Sequence, residues 1–216
     1  KLTFIISGVQ KGGTTALYYF LREHPRLFLP ETKELHFFDN ERVDWSAPDY
    51  DGLYHAHFAE APAGAVCGEA TPIYAFWPPA MQRMCAYNPR MKIILSLRDP
   101  VARAYSQWRM ETVRGFETLP FSEAIRGGRL RLTQAAPLAN IGRVYSYVER
   151  SLYAAQLARV FEKFPRRQVL LLSHDELRRD HTAVLDKICD FLEIERFVTY
   201  PPPEVIFSYG GADLAP

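Results

Sequence analysis

The sequence predicts an α/β fold, with a central parallel sheet flanked by helices on both faces. Three observations predict it. Short, almost wholly apolar runs recur at residues 2–6, 65–67, 91–97 and 168–172. Between and after them lie helical patterns at 14–23, roughly 79–87, 101–113, 152–164 and 183–192. Strands apolar on both faces and alternating with helices belong to parallel sheets covered on both sides. The third observation is a glycine-rich turn, Gly8-Val9-Gln10-Lys11-Gly12-Gly13, between the first apolar run and the first helical pattern.

That turn is the first element with chemical content. Strand, tight turn and helix start form a phosphate cradle, where backbone N–H groups and the helix N-terminus converge on an anion. Nucleotide triphosphatases place a lysine directly after the last glycine of this loop, to reach the β- and γ-phosphates. Here Thr14 and Thr15 follow Gly13, and the lysine, Lys11, precedes Gly12. The loop is expected to hold a phosphate through Lys11, Gly12, Gly13, Thr14 and Thr15 and to be poorly built for ATP hydrolysis.

Next comes Lys33-Glu34-Leu35-His36-Phe37-Phe38-Asp39, where charged and large apolar residues mix as in a half-buried strand or cleft edge. At period two, Glu34 and His36 share a face, and a carboxylate in a partly apolar cleft is a candidate general base. Read alone, the segment fits a solvated edge strand with a satisfied histidine better. Residues 39–62 and 115–143 show weak periodicity and are expected to be loops and short helices walling the cleft. The apolar run 91–97 ends at Arg98, where Asp99 suits a helix N-cap and Pro100 its first turn. Ser106 falls about two turns into that helix, where it could share an anion with Arg98; read alone, an arginine paired to a surface carboxylate and a helix serine bonded to its own backbone fit better. Ligands in parallel sheets bind beyond the carboxyl ends of the strands, so the glycine turn and Arg98 are expected to face one cleft. The tail, 201–216, reads as extended.

Composition narrows the rest. With 216 residues, 48% of them hydrophobic, the chain is expected to form a single domain, 1–216. A net charge of +1 gives no global field for nucleic acid, so no nucleic-acid partner is expected. Cys67, Cys85 and Cys189 are widely spaced and odd in number, which fits neither a disulfide framework nor a zinc site. A reducing, cytoplasmic setting is the expectation. No apolar run approaches the roughly 18 residues of a membrane span, and the N-terminus shows no signal-peptide pattern.

The glycine turn, the 33–39 segment and Arg98 with Ser106, in this order and spacing, resemble the PAPS-dependent sulfotransferases (PAPS, 3′-phosphoadenosine 5′-phosphosulfate). The likeness is to the branch holding the heparan sulfate N- and O-sulfotransferases and their bacterial relatives. Gly68-Glu69-Ala70-Thr71-Pro72-Ile73-Tyr74 and the stretch from Leu152 through Val169 match it as well, so the likeness runs roughly from the first strand to Phe197. It implies the P-loop nucleoside-triphosphate-hydrolase-like fold and sulfuryl transfer from PAPS, leaving 3′,5′-diphosphoadenosine (PAP), without a metal. By position, Lys11 through Thr15 would grip the 5′-phosphosulfate, and Arg98 and Ser106 would bind the 3′-phosphate. Glu34 would be the catalytic base, with Lys11 on the departing oxygen and His36 in the acceptor site. The implied acceptor is a hydroxyl of a small molecule, lipid or glycan, with an amine less favoured.

Two departures bear on that acceptor. In heparan 3-O-sulfotransferase members, basic residues stand where this chain has Thr15 and Ala70, which argues against a highly anionic acceptor. Tyr50, Tyr54, His55, His57, Tyr74, Phe76 and Trp77 would suit a less charged one, or would simply pack the core. Ser208-Tyr209-Gly210-Gly211 is set against the family's C-terminal nucleotide loop, and the chain is expected to be cut short there. The competing reading is a P-loop nucleotide or small-molecule kinase, which would need a lysine after Gly13 and Mg²⁺ ligands.

Overall fold

A computed structural model describes residues 1–134 and 140–203. In chain order it contains β1 (Phe4–Gly8), α1 (Thr14–Arg22), β2 (Leu27–Phe28), α2 (Tyr50–Leu53), β3 (Val66–Ala70), α3 (Ala80–Tyr87) and β4 (Lys92–Leu97). There follow α4 (Pro100–Val113), α5 (Phe121–Gln134), α6 (Asn140–Val144), α7 (Tyr153–Lys163), β5 (Val169–Ser173), α8 (His174–Arg179) and α9 (His181–Leu192). The strands form one sheet in the order β2-β3-β1-β4-β5, and every pairing is parallel.

The period-two alternation of the strands sorts their side chains onto two cores. Ile5, Ile93, Leu95 and Val169 face one side, against Met81 and Met84 of α3, Val160 of α7 and the aromatic residues Phe37, Phe38, Tyr54 and Tyr74. Phe4, Ile6, Ile94 and Leu172 face the other, against Leu17 and Leu21 of α1 and Val184, Leu185 and Ile188 of α9. Full burial of each such side chain is worth about 1.5–3 kcal/mol, so both faces hold the sheet. A smaller cluster of Ala104, Ala124 and Tyr147 ties α4 to α5.

This order fixes where a ligand can sit. After β1 the chain crosses to one side of that strand to build β2 and β3, then returns to its other side for β4 and β5. The crevice beyond the carboxyl ends of β1 and β4 is therefore the topological switch point. The glycine turn and Arg98 both flank it.

The structure departs from the sequence expectations in three places. Residues 33–39 form no strand; the segment is irregular. Residues 121–134, expected as loop and short helices, are a continuous helix; Gly127 and Gly128 dilute its helical signal. The two-residue β2 and the six-residue α8 are too short to show as periodic patterns. The 208–211 loop lies outside the described residues.

Ile94 is fully buried in the central sheet, whereas Val198 is fully exposed. I94A is therefore expected to cost about 2–5 kcal/mol of unfolding free energy, and V198A to stay within about 0.5 kcal/mol. Urea denaturation midpoints of the two variants check this.

Candidate active site

The glycine turn is built from close backbone approach. Gly12 N–H donates to Val9 C=O at 2.9 Å, and a Cβ on Gly12 would lie 2.2 Å from Ser96 C=O of β4. Gly13, at φ +86°, turns the chain into α1, whose first turn carries no side-chain cap. The first N–H groups of α1 are thus left without a side-chain cap, as an anion site at a helix N-terminus requires. Among the loop residues, Thr14 is buried and Thr15 exposed at the helix start.

Positive charge gathers around this turn. Arg98 donates from Nη1 to Lys11 C=O at 3.3 Å, joining the end of β4 to the loop. Lys11 Nζ lies 3.9 Å from Met110 Sδ on α4. Burial lowers the Lys11 ammonium below its ordinary value, and Arg114, Arg98 and Lys33 add to this while Glu111 opposes it. Arg98 is likewise lowered, by burial and then by Arg178 of α8. Like charges brought together at a strand end are what a bound polyanion would neutralise. Asp99 accepts from Ala102 N–H at 2.8 Å and Pro100 opens α4, as expected from the sequence. Ser106 sits one turn before Met110, on the helix face turned to Lys11.

The 33–39 segment brings Glu34 and His36 together, but not as alternate residues of a strand. His36 adopts φ 52°, and its Nε2 lies 3.4 Å from Glu34 Oε2 while Nδ1 lies 3.0 Å from Asp39 Oδ2. Lys33 Nζ donates to Glu34 Oε1 at 2.9 Å. Asp39 is fully buried; Arg143 of α6 donates to its carboxylate and, at 2.7 Å, to its backbone C=O. Burial works against the Asp39 anion, but hydrogen bonds from His36 and Arg143 outweigh it and hold the carboxyl below its ordinary value. The hydrogen bond to Asp39 in turn raises His36 above its ordinary 6.5, against burial.

Arg150 links the two halves. Its Nη1 donates to Gln10 Oε1 in the glycine turn at 2.7 Å, its guanidinium lies over the Phe76 ring, and Glu34 is among the charges acting on it. Burial, with Arg103 and Arg143 nearby, lowers it to about 9. The structure thus brings Lys11, Gly12, Gly13, Arg98, Glu34 and His36 to one end of the sheet.

Sequence reasoning singled out neither Arg143 and Arg150, Asp39 as a partner of His36, nor His174 and Arg178. His174 follows β5, and a Cβ on Gly13 would lie 3.1 Å from its ring. Its place at a strand's carboxyl end, the argument that found Arg98, was the available signal. Of the aromatic residues weighed for the acceptor, Tyr54, Tyr74 and Trp77 are buried in the core. Among the described residues, no group of three or more His, Cys, Asp or Glu side chains is arranged to hold a metal ion, and no helix is long and apolar enough to cross a membrane.

The His36–Asp39 bond makes a titration prediction. Because the folded value of His36 is raised, the stability it contributes is full below pH 6.5 and lost as pH rises through that raised value. In an NMR titration, wild-type His36 should lose its proton above pH 6.5 and D39N should bring it back down; an unmoved value contradicts the pairing.

Comparison with known proteins points to one family. The family model described as a sulfotransferase domain covers residues 2–200. The chain is 32% identical over 203 residues to heparan sulfate glucosamine 3-O-sulfotransferase 3B1 of Homo sapiens, covering 90% of this chain and 47% of that protein. It therefore spans about half the length of the curated relatives it matches. A crystal structure of a sulfotransferase from Alicyclobacillus acidocaldarius aligns with a TM-score of 0.81 at 30% identity, over 97% of this chain and 87% of that one. The sulfotransferase domain from the curacin biosynthetic pathway shares the fold, with a TM-score of 0.56 at 18% identity over 91% of this chain and 75% of its own. Solved sulfotransferases have the P-loop nucleoside-triphosphatase-like fold, and the kinase alternative is not favoured. Matched by that family model over residues 2–200, the chain belongs to the sulfotransferase family.

Proposed function

We propose that this chain moves the sulfuryl group of PAPS to an acceptor hydroxyl, less readily an amine, by in-line displacement with Glu34 as general base. The observation that supports the reading is Arg150, which donates to Gln10 of the glycine turn while the charge of Glu34 acts on it, as expected if donor cradle and base share one cleft. When bound, PAPS supplies the activated sulfuryl group. The amides of Gly12, Gly13, Thr14 and Thr15 and the Lys11 ammonium would hold its 5′ end, and Arg98 with Ser106 its 3′-phosphate.

Lys11 counters the negative charge that builds on the departing oxygen, which stabilises the transition state more than the ground state. Glu34 takes the acceptor's proton. A carboxylate has about four lone-pair sites, and those beyond Lys33 and His36 remain for the hydroxyl. A positioned base is worth about 10²–10⁴-fold. Asp39 and Arg143 fix the imidazole of His36 beside Glu34, where it orients the carboxylate and meets the acceptor.

The acceptor is a small molecule, lipid or glycan less anionic than heparan sulfate. Thr15 is exposed at the mouth of the cradle without a charge, and Ala70 is buried against α1. Three free thiols support a reducing, cytoplasmic setting, which cell fractionation would check.

PAP at 100 times its dissociation constant should stabilise the chain by about 2.7 kcal/mol, read as a raised Tm. Stabilisation by ATP with Mg²⁺ instead would favour the kinase reading. E34Q should leave PAP affinity nearly unchanged while transfer falls by about 10²-fold or more; equal loss of both removes Glu34 from the role of base. R98A should weaken PAP far more than adenosine 5′-phosphate, and equal weakening refutes the 3′-phosphate assignment. Labelled PAPS offered with heparan sulfate, a neutral oligosaccharide and a simple phenol separates the acceptor classes; preference for heparan sulfate would overturn the argument from Thr15 and Ala70.

A further inference from the structure

Glu69 has no part in the chemistry above, yet it is a carboxylate only 1% exposed, in the middle of a sheet. It pairs in register with Ile5 and faces the same core. Its Oε1 accepts from the Tyr54 hydroxyl at 2.7 Å and the Tyr74 hydroxyl at 3.2 Å, and its Oε2 from the Thr71 hydroxyl at 2.7 Å. An ionised carboxylate only accepts, and each hydroxyl has a single proton to give. With Glu69 ionised, all three hydroxyl protons point at it, and the oxygen lone pairs of Thr71 and Tyr74 are left for other donors.

Those donors are the backbone of the catalytic segment. Leu35 N–H donates to Thr71 Oγ1 at 3.1 Å, Phe37 N–H to the Tyr74 hydroxyl at 3.0 Å, and Phe38 N–H to the same hydroxyl at 3.4 Å. Residues 33–39 have no ladder of their own, so these bonds hold the segment, together with the burial of Phe37 and Phe38 and the Arg143 bond to Asp39. Leu35 follows Glu34 directly, and Leu35 and Phe37 bracket His36.

We propose that Glu69 is a positioning residue for the base: it sets the direction of the hydrogen bonds that anchor Leu35 and Phe37, and so fixes Glu34 and His36 at the cleft. Burial pushes the Glu69 carboxyl up to about 7, against the hydrogen bonds from Tyr54, Thr71 and Tyr74 and helped by the charge of Asp39. The anion thus depends on its three donors, and they depend on it. A neutral side chain here has a proton of its own to place. It would give that proton to one of the hydroxyls and compete with the backbone N–H groups for the same oxygens.

This inference rests on the reading of Glu34 as base. Its test uses E69Q, T71V and T71S in the full chain, with three measurements: PAP affinity, kcat and KM with labelled PAPS and the best acceptor found above, and hydrogen exchange of residues 33–39 with PAP bound. E69Q and T71V should exchange faster across 33–39 and lose about 10- to 100-fold in kcat, as expected for a base displaced by an ångström. Their PAP affinity should stay within about 2-fold, since Lys11 and Arg98 are untouched. T71S, which keeps the hydroxyl, should restore both kcat and protection. If E69Q does not fold, T71V against T71S decides alone. Unchanged exchange and kcat in T71V, or a parallel fall in PAP affinity and kcat, would overturn the proposal. If the wild type binds PAP but transfers to no acceptor, the sulfuryl-transfer reading fails; faster exchange in T71V then still supports the anchoring, and unchanged exchange overturns it.

Discussion

The hydrogen bond from Arg98 to the carbonyl of Lys11 ties the end of β4 to the turn that follows β1, at the crevice beyond the carboxyl ends of both strands. It sets a guanidinium at the end of one strand against the loop that ends the other. Tyr153 of α7 holds the Arg98 carbonyl from behind at 2.8 Å. Lys11, Arg98, Arg114 and Arg178 act on one another as like charges, and burial strengthens that repulsion. A fold that gathers cations at a water-poor strand end carries a standing cost that an anionic ligand relieves. Binding of an anion and stability would therefore be coupled here, since burial and like charges lower the cations at the end of β4 and in the glycine turn.

The other half of the site is reached from the opposite side of β1. β3 runs beside that strand, and the residues at and after its end, Glu69, Thr71 and Tyr74, hold the irregular segment that carries Glu34 and His36. Strand order thus explains why two stretches far apart in sequence meet. The β1–β4 side carries the glycine turn and Arg98 and the β1–β3 side holds the segment with Glu34, with Arg150 donating to Gln10 of the turn. Residues 33–39 have little local structure and are bonded to side chains that follow β3, so their placement depends on the hydrogen-bond network beneath them.

Local signals were the legible ones. The glycine turn, the Asp99 cap with Pro100 and four of the five strands follow from residue types within a few positions of each other, and they were read correctly. The 33–39 segment looked like a strand because apolar and charged residues mix there. Its backbone N–H groups are instead bonded to hydroxyls 36 and 37 residues away. No periodicity records a partner at that distance. Glu34 and His36 were brought together as expected, though by a positive φ at His36 rather than by a pleat. Arg143 and Arg150 stayed hidden for the same reason: their partners Asp39 and Gln10 lie 104 and 140 residues back along the chain. The resemblance to sulfotransferases supplied what spacing alone could not, namely which of many arginines and serines to weigh.

A crystal structure of the chain with PAP bound tests the central claim most directly. The 5′-phosphate is expected on the amides that open α1 with the Lys11 ammonium against it, the 3′-phosphate on Arg98, and Glu34 opening onto the same cleft. A nucleotide seated elsewhere, or one whose 3′-phosphate lies away from Arg98, would contradict it.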